Sequence, residues 1–311
     1  MNKFPTAVGV PSIGAYIPEL FAKELLTEFY TATVLAAIAN TDYEGEIKAH
    51  GDTVIIRGLP NVAVSDYVKG QKLQYPYVEP PSIELHIDKA KSFTLNAPDL
   101  DQVQSDIALL TKWAAHGSEN LKIAVDRDCL GRLPAAAHAK NAGDKAGRIS
   151  GSVNLGKAGA PISLANTNVL STMLLGKQVI AEQDIDVTTG GKLWAVMPAW
   201  VSTRIQTSML SDASKSGDGV TMIRNGRLGV INNITLYESN NLLPDKAGGF
   251  HIIMGHKDCY TFASQLIKNE TLRNPDDFGD LMRGLQVYGD KVTKTEGIVD
   301  IYVTEAAISG I

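Results

Sequence analysis

The residues best placed to do chemistry are Gly151-Ser152-Val153-Asn154-Leu155-Gly156-Lys157-Ala158, which carry the glycines and lysine of a phosphate-cradling loop. Such a loop needs a hydroxyl after the lysine to hold Mg²⁺, a strand before it and a helix after it, so that backbone N–H groups point at phosphate. Here Ala158 takes the hydroxyl's place, no apolar strand precedes the loop and Pro161 breaks any helix that would start behind it. A soluble nucleotide-dependent enzyme is therefore carried only as an alternative. His251, His256 and Cys259 offer soft ligands close together, but a structural zinc site wants four ligands and a catalytic one three with an open position. No further ligand accompanies them, so they are expected to be packed or solvent-facing. Asp99 and Asp101 stand at a predicted helix start, where carboxylates satisfy free N–H groups and the helix dipole. Cys129 and Cys259 fall in no ligand-spaced motif and read as packed thiols in a reducing compartment. Serines and histidines occur without a nucleophile elbow. Trp113, Trp194 and Trp200 sit in apolar periodic stretches and read as core. The expectation is no catalytic residue, no metal and no cofactor.

The elements around these residues are those of a large α+β chain. Its 311 residues can bury a sizeable core without disulfides. The longest apolar run, Val34 to Ala39, is too short to span a bilayer, and residues 1–16 hold no signal-peptide core. The chain is expected to be soluble, made in the cytosol and not membrane-bound. A net charge of −5, from 29 basic and 34 acidic residues mixed along the chain, lacks the basic stripe of a tight DNA binder. It suits a wall around packed DNA, touched weakly and without sequence preference.

Along the chain, a Gly/Pro-containing arm leads to a helix from Pro18, with Phe21, Leu25 and Phe29 on one face. Thr53 to Arg57 is β-branched, and Ser82 to Asp88 alternates Ile83, Leu85 and Ile87 with polar residues; both predict strands. Between them, Pro60 to Pro81 carries four prolines and reads as an arm reaching toward a partner. From Asp99 to about Leu130, apolar or small residues recur in steps of three and four, predicting one long helix ended by Leu133-Pro134. The Gly-rich stretch 135–161 reads as a flexible connection or surface loop. Asn166 to Ala181 suits a helix capped by Asn166 or Thr167, and Leu193 to Met197 a buried strand. Ile231 to Tyr237 and Phe250 to Met254 are strand candidates, Lys257 to Ile267 a short helix. Leu285 to Tyr288 and Gly297 to Glu305 are expected to form an antiparallel pair.

Several of these segments, in one order, resemble the major capsid proteins of tailed bacteriophages. The resemblance runs through Ile17-Pro18-Glu19-Leu20, Asn40-Thr41-Asp42-Tyr43-Glu44-Gly45-Glu46-Ile47, Gly51-Asp52-Thr53-Val54-Ile55-Ile56, Asp66-Tyr67-Val68-Lys69-Gly70, Ile87-Asp88-Lys89-Ala90 and Asp99-Leu100-Asp101-Gln102-Val103-Gln104-Ser105. It is looser beyond Ser105, returning at Gly229-Val230-Ile231-Asn232-Asn233 and Glu238-Ser239-Asn240-Asn241-Leu242.

The resemblance implies the Hong Kong 97-like fold. It would divide the chain into an N-terminal arm and helix (1–47), an extended β-hairpin loop (48–90), a peripheral domain with its spine helix (91–134), an axial domain with the Gly-rich connection (135–267) and C-terminal strands returning to the peripheral domain (268–311). It implies a shell protein forming pentamers and hexamers of an icosahedral head around double-stranded DNA. Subunit contacts would fall at Asp66, Tyr67, Lys69, Lys72, Tyr75, Tyr77, Phe21 and Phe29. Relatives that cross-link covalently use a lysine of this loop, where Lys69 and Lys72 stand; no partner asparagine is singled out. The absence of a fused scaffolding segment implies a separate scaffolding protein, with a portal protein and a decoration protein as further partners. The location implied is the virion capsid, assembled in the host cytoplasm. An encapsulin-type compartment shell is the same-fold alternative.

Overall fold

The computed structural model describes residues 33–42, 53–58, 81–98, 109–188, 192–208, 227–275 and 278–306, with Val64, Asp66, Lys69, Gly70, Lys72, Tyr75, Tyr77, Glu79 and Pro80 described singly. The helix expected from Pro18 and the helix start at Asp99 lie outside these residues.

A one-turn helix α1 (Leu35–Ile38) is followed by β1 (Thr53–Arg57) and β2 (Ser82–His86), a two-stranded antiparallel hairpin pairing Thr53 with His86 and Arg57 with Ser82. The next strand, β3 (Lys89–Pro98), was not expected, although Phe93 and Leu95 are half-buried between exposed neighbours. Helix α2 (Leu109–Ala136) then runs 28 residues, about 42 Å at 1.5 Å per residue. It passes Pro134, which lies within its last turn rather than beyond its end. There it has no N–H to donate to the Leu130 carbonyl and its ring crowds that carbonyl, and the helix ends two residues later.

The Gly-rich stretch after α2 is a folded loop rather than a loose connection, with Ala146 and Leu155 fully buried and Ala146 bridged to Val153. Its glycines serve conformation: Gly156 has φ +77°, and a Cβ there would lie 2.1 Å from the Tyr302 carbonyl oxygen. Strand β4 (Ile162–Leu164) leads to α3 (Val169–Ala181), whose N-cap is Asn168, not Asn166 or Thr167. The Asn168 Oδ1 accepts instead from the Ala165 N–H, so the side chain closes the preceding turn. Strand β5 (Leu193–Met197), α4 (Ala199–Gln206), β6 (Arg227–Ile231), β7 (Ile234–Glu238) and β8 (Phe250–His256) complete the middle of the chain. The single strand expected at Ile231 to Tyr237 is a hairpin, turned at Asn232 and Asn233 with φ of 47° and 65°, the left-handed pair that a tight turn requires.

Lys257 to Ile267 is not a helix. A single 3₁₀ turn (Lys257–Cys259) opens into β9 (Tyr260–Arg273), which pairs with β10 (Gly279–Val292). The helical spacing of Cys259, Phe262 and Ala263 was coincidental; pairing with β10 buries Tyr260 to Ala263 in succession. The chain's last described strand, β11 (Ile298–Glu305), does not pair with β10 as expected.

Two main sheets result, one of order β3-β10-β9 and one of order β4-β11-β8-β5-β7-β6. The six-stranded sheet is buried on both faces, which explains the unbroken apolar run of β5. Leu193, Ala195 and Met197 pack with α3 and α4, while Trp194 and Val196 face the second half of α2 through Val125, Cys129, Leu130 and Leu133. Tyr260, Phe262 and Tyr288 of the three-stranded sheet join that second cluster, so α2 is the seam between the sheets.

Candidate assembly interface

The β1–β2 hairpin is rooted on the long sheet by a small cluster of Ile56, Leu85 and Ile87 with Ala263, flanked by Val54 and Val287. Strand β10 runs hard against this root: a Cβ at Gly289 would stand 2.2 Å from the His86 carbonyl oxygen. The Gly58 N–H donates to the Pro81 oxygen at 2.7 Å, closing the base of the connection between β1 and β2. Along it Val64 is 95% exposed, Tyr75 87% and Tyr77 90%. Asp66, Lys69 and Lys72 are also exposed on this connection. Five of the expected contact residues are thus exposed on the one connection between β1 and β2. Tyr67, Phe21 and Phe29 lie outside the described residues. Large apolar side chains held in water gain nothing for the single chain, so such a segment is suited to being covered by a partner.

Where the arm's base meets the body, Asp290 of β10 gathers three elements. Its Oδ1 accepts from Lys89 Nζ and from an Arg132 guanidinium nitrogen, each at 2.8 Å, and its Oδ2 from the Tyr260 hydroxyl at 3.3 Å. Arg132 also pairs with Asp128 at 2.9 Å, and Asp128 accepts from the Tyr288 hydroxyl at 2.6 Å. Within this group burial pushes the Cys129 thiol up to about 12, with the Asp290 charge adding to the effect; Cys259 is pushed by burial to about 11. Both cysteines are packed, protonated thiols, as expected.

A second buried carboxylate, Asp126 of α2, is 1% exposed and accepts from the Val34 and Leu35 N–H groups at 3.1 and 3.0 Å and from Asn241 Nδ2 at 2.7 Å. Burial raises its pKa despite these three donors. At the end of α3, Glu182 accepts from the backbone N–H groups of Ile149 and Ser150, which together with Gln178 hold it down to about 2 and pin the Gly-rich loop. Arg204 of α4 fixes the end of β11, reaching the Ala306 oxygen at 2.8 Å and Glu305 at 3.3 Å. None of Asp126, Glu182 or Asp290 carried a sequence signal, because each is one acidic residue in an ordinary mixed-charge stretch.

The residues first suspected of chemistry are occupied structurally. Lys157 Nζ donates to Asp144 at 2.7 Å, and the loop folds back in a Lys157–Ala160 bridge with no helix behind it. His251 pairs through Nδ1 with Asp300 at 2.8 Å beside the Tyr302–Asp245 hydrogen bond, and His256 Nδ1 accepts from the Asp258 N–H. Among the described residues no group of His, Cys, Asp or Glu could hold a metal ion, and no helix is long and apolar enough to cross a membrane. Trp194 is core and Trp200 packs edge-on against Phe250.

His251 offers a pH test. Burial pushes its pKa down, but the hydrogen bond and charge of Asp300, with Asp245 behind it, outweigh that and hold it above the ordinary value. A group whose pKa rises on folding contributes stability that is complete below about pH 6.5 and lost as pH rises through the folded value. The stability advantage of wild type over His251→Gln is expected to grow as pH falls from about 8 to about 6. Parallel urea titrations that give a pH-independent difference would contradict this.

No protein-family model matches the sequence, and no curated protein matches it. Solved structures do. A structure of Mycobacterium phage Che8 is similar with a TM-score of 0.72 and 25% identity, covering 92% of this chain and 96% of that one. The capsid structure of cyanophage P-SCSP1u matches at TM-score 0.68 and 15% identity over 98% and 97% of the two chains. The capsid of an empty gene transfer agent particle matches at 0.61 and 11% identity over 97% and 99%. The α+β architecture is thus the fold of phage capsid structures, consistent with the Hong Kong 97-like fold.

Proposed function

We propose that this chain is the major capsid protein of a tailed bacteriophage, whose copies associate into pentamers and hexamers and close into an icosahedral shell around double-stranded DNA. The observation that carries the reading is agreement along nearly the whole length, in both directions, with phage capsid folds. The neighbours are capsids, phage and gene transfer agent alike, and none favours the encapsulin reading. The work of such a protein is structural rather than catalytic, and an exposed arm rooted on a rigid sheet supports it.

In this reading, residues 1–47 are the N-terminal arm, 48–90 the extended loop and 91–134 the peripheral domain with its spine. Residues 135–267 form the axial domain and 268–311 the returning C-terminal strands. Asp66, Tyr67, Lys69, Lys72, Tyr75, Tyr77, Phe21 and Phe29 meet neighbouring copies. Heterologous contacts close into rings, and many weak interfaces per subunit add up while letting misplaced copies leave. A separate scaffolding protein guides assembly in the host cytoplasm, a portal protein occupies one vertex, and a decoration protein caps the outside. The acidic net charge leaves packaged DNA only weak, non-specific contact.

The test is negative-stain microscopy with sedimentation of the purified full chain under assembly conditions. Closed particles of uniform diameter are expected. A chain that stays a compact monomer under every assembly condition overturns the reading.

A further inference from the structure

Residues 33–42 belong to neither main sheet, yet Val34, Leu35, Ile38 and Ala39 are buried in the cluster around the second half of α2. Two polar attachments hold this segment. Asn40 exchanges backbone hydrogen bonds with β9, its N–H donating to the Tyr260 oxygen at 2.8 Å and its oxygen accepting from Phe262 N–H at 3.1 Å. The other attachment is Asp126. One turn of helix does not persist alone, and the N-cap residue of α1, Val34, makes no side-chain cap. The cap comes from 91 residues away, where the Asp126 carboxylate takes the Leu35 N–H and, on the same oxygen, that of Val34. The other carboxylate oxygen takes Asn241, in the turn after β7.

We propose that residues 33–42 are a strap that unseats without unfolding either sheet, and that Asp126 is the positioning residue that latches it. Three observations point to release rather than permanent burial. Lifting the strap breaks one isolated bridge and no ladder of either sheet. A surface cleft of about 380 Å³ lies beside it, lined by Leu35, Ala36, Val125, Asp126, Phe262 and Gln286, so the described body leaves one flank of the strap open. The latch's partner on the body is under-satisfied: the buried Asn241 Oδ1 has no hydrogen-bond partner among the described residues. Segments held by few backbone hydrogen bonds open at the low end of a protein's stability range. Because one carboxylate serves the strap, α2 and the turn after β7, displacing any of the three loosens its hold on the others. The inference concerns the single chain and does not rest on the shell reading.

Hydrogen exchange of the full-length, unassembled chain tests it. In Asp126→Ala, amides of 33–42 are expected to exchange about 10- to 100-fold faster, because buried donors lose their acceptor, while β5 and β8 stay protected. Asp126→Asn keeps an acceptor oxygen and is expected to stay within about threefold of wild type. The proposal fails if Asp126→Ala leaves the strap as protected as before, if β5 and β8 loosen with it, or if Asp126→Asn exchanges as fast as the alanine variant. Should Asp126→Ala not fold, Asn241→Ala removes one donor only. It is expected to speed the same amides to a smaller extent, and unchanged protection there overturns the latch.

Discussion

Deleting the arm's outer part, Asn61 to Tyr77, is expected to leave a folded, soluble chain that forms no stable shell. The body does not depend on that part. The hairpin root is held by Ile56, Leu85 and Ile87 against Ala263, all outside the deletion, and the Gly58–Pro81 hydrogen bond closes the shortened connection. Shortening a loop by this much changes its closure entropy by only about 1 kcal/mol. The deleted part carries Val64, Tyr75 and Tyr77, whose apolar surface faces water in the single chain. Covering each such side chain contributes about 1.5–3 kcal/mol, and a shell repeats that contact at every subunit. Circular dichroism should therefore match wild type while microscopy shows no closed particles. Normal shells from the deletion would remove the arm's assigned role.

Among the ion-paired side chains, a large loss of stability is expected at Asp290. Replacing it with alanine takes the acceptor from Lys89 and the Tyr260 hydroxyl at a part-buried site and leaves Arg132 only its pair with Asp128. Removing one member of a buried charge network costs more than the network contributes net, because the remaining charges stay desolvated. Lys89 and Arg132 keep about a third of their side-chain surface, which moderates the penalty. About 2–4 kcal/mol is expected, or a fall in Tm of roughly 3–6 °C for a chain of this length. Lys122→Ala, which breaks the exposed pair with Glu119, is the control and should cost under about 1 kcal/mol. Thermal melts of the two variants compare them directly, and equal effects would show that the Asp290 network holds nothing together.

Much of the local structure was legible in the sequence, for reasons that stay within a few residues. Thr53 to Arg57 and Leu193 to Met197 form strands over the expected span, since β-branched and unbroken apolar runs suit paired, buried backbone. The long helix was legible from its three-and-four spacing, and Gly117 in that stripe turns out to be where the Phe93 ring presses on α2. Legibility failed where local pattern and distant pairing disagreed. Lys257 to Ile267 spaces its apolar residues like a helix but lies beside β10, and Asn232-Asn233 looks like strand interior until both residues adopt left-handed backbone. Of the expected contact residues, five are exposed on one connection, in keeping with its proline content and length.

By itself the sequence determined the strands at Thr53–Arg57 and Leu193–Met197, the long helix that ends at Ala136, and a likeness to phage shell proteins spread over ordered short segments. Only the tertiary structure decided that β11 inserts between β4 and β8 instead of joining β10, and which carboxylates among many became structural. The physical reason is distance along the chain. Lys89 meets Asp290 across 201 positions and Val34 meets Asp126 across 92, and local periodicity carries no record of such partners. Burial that makes one aspartate a latch and leaves another in water arises only when remote segments close over it.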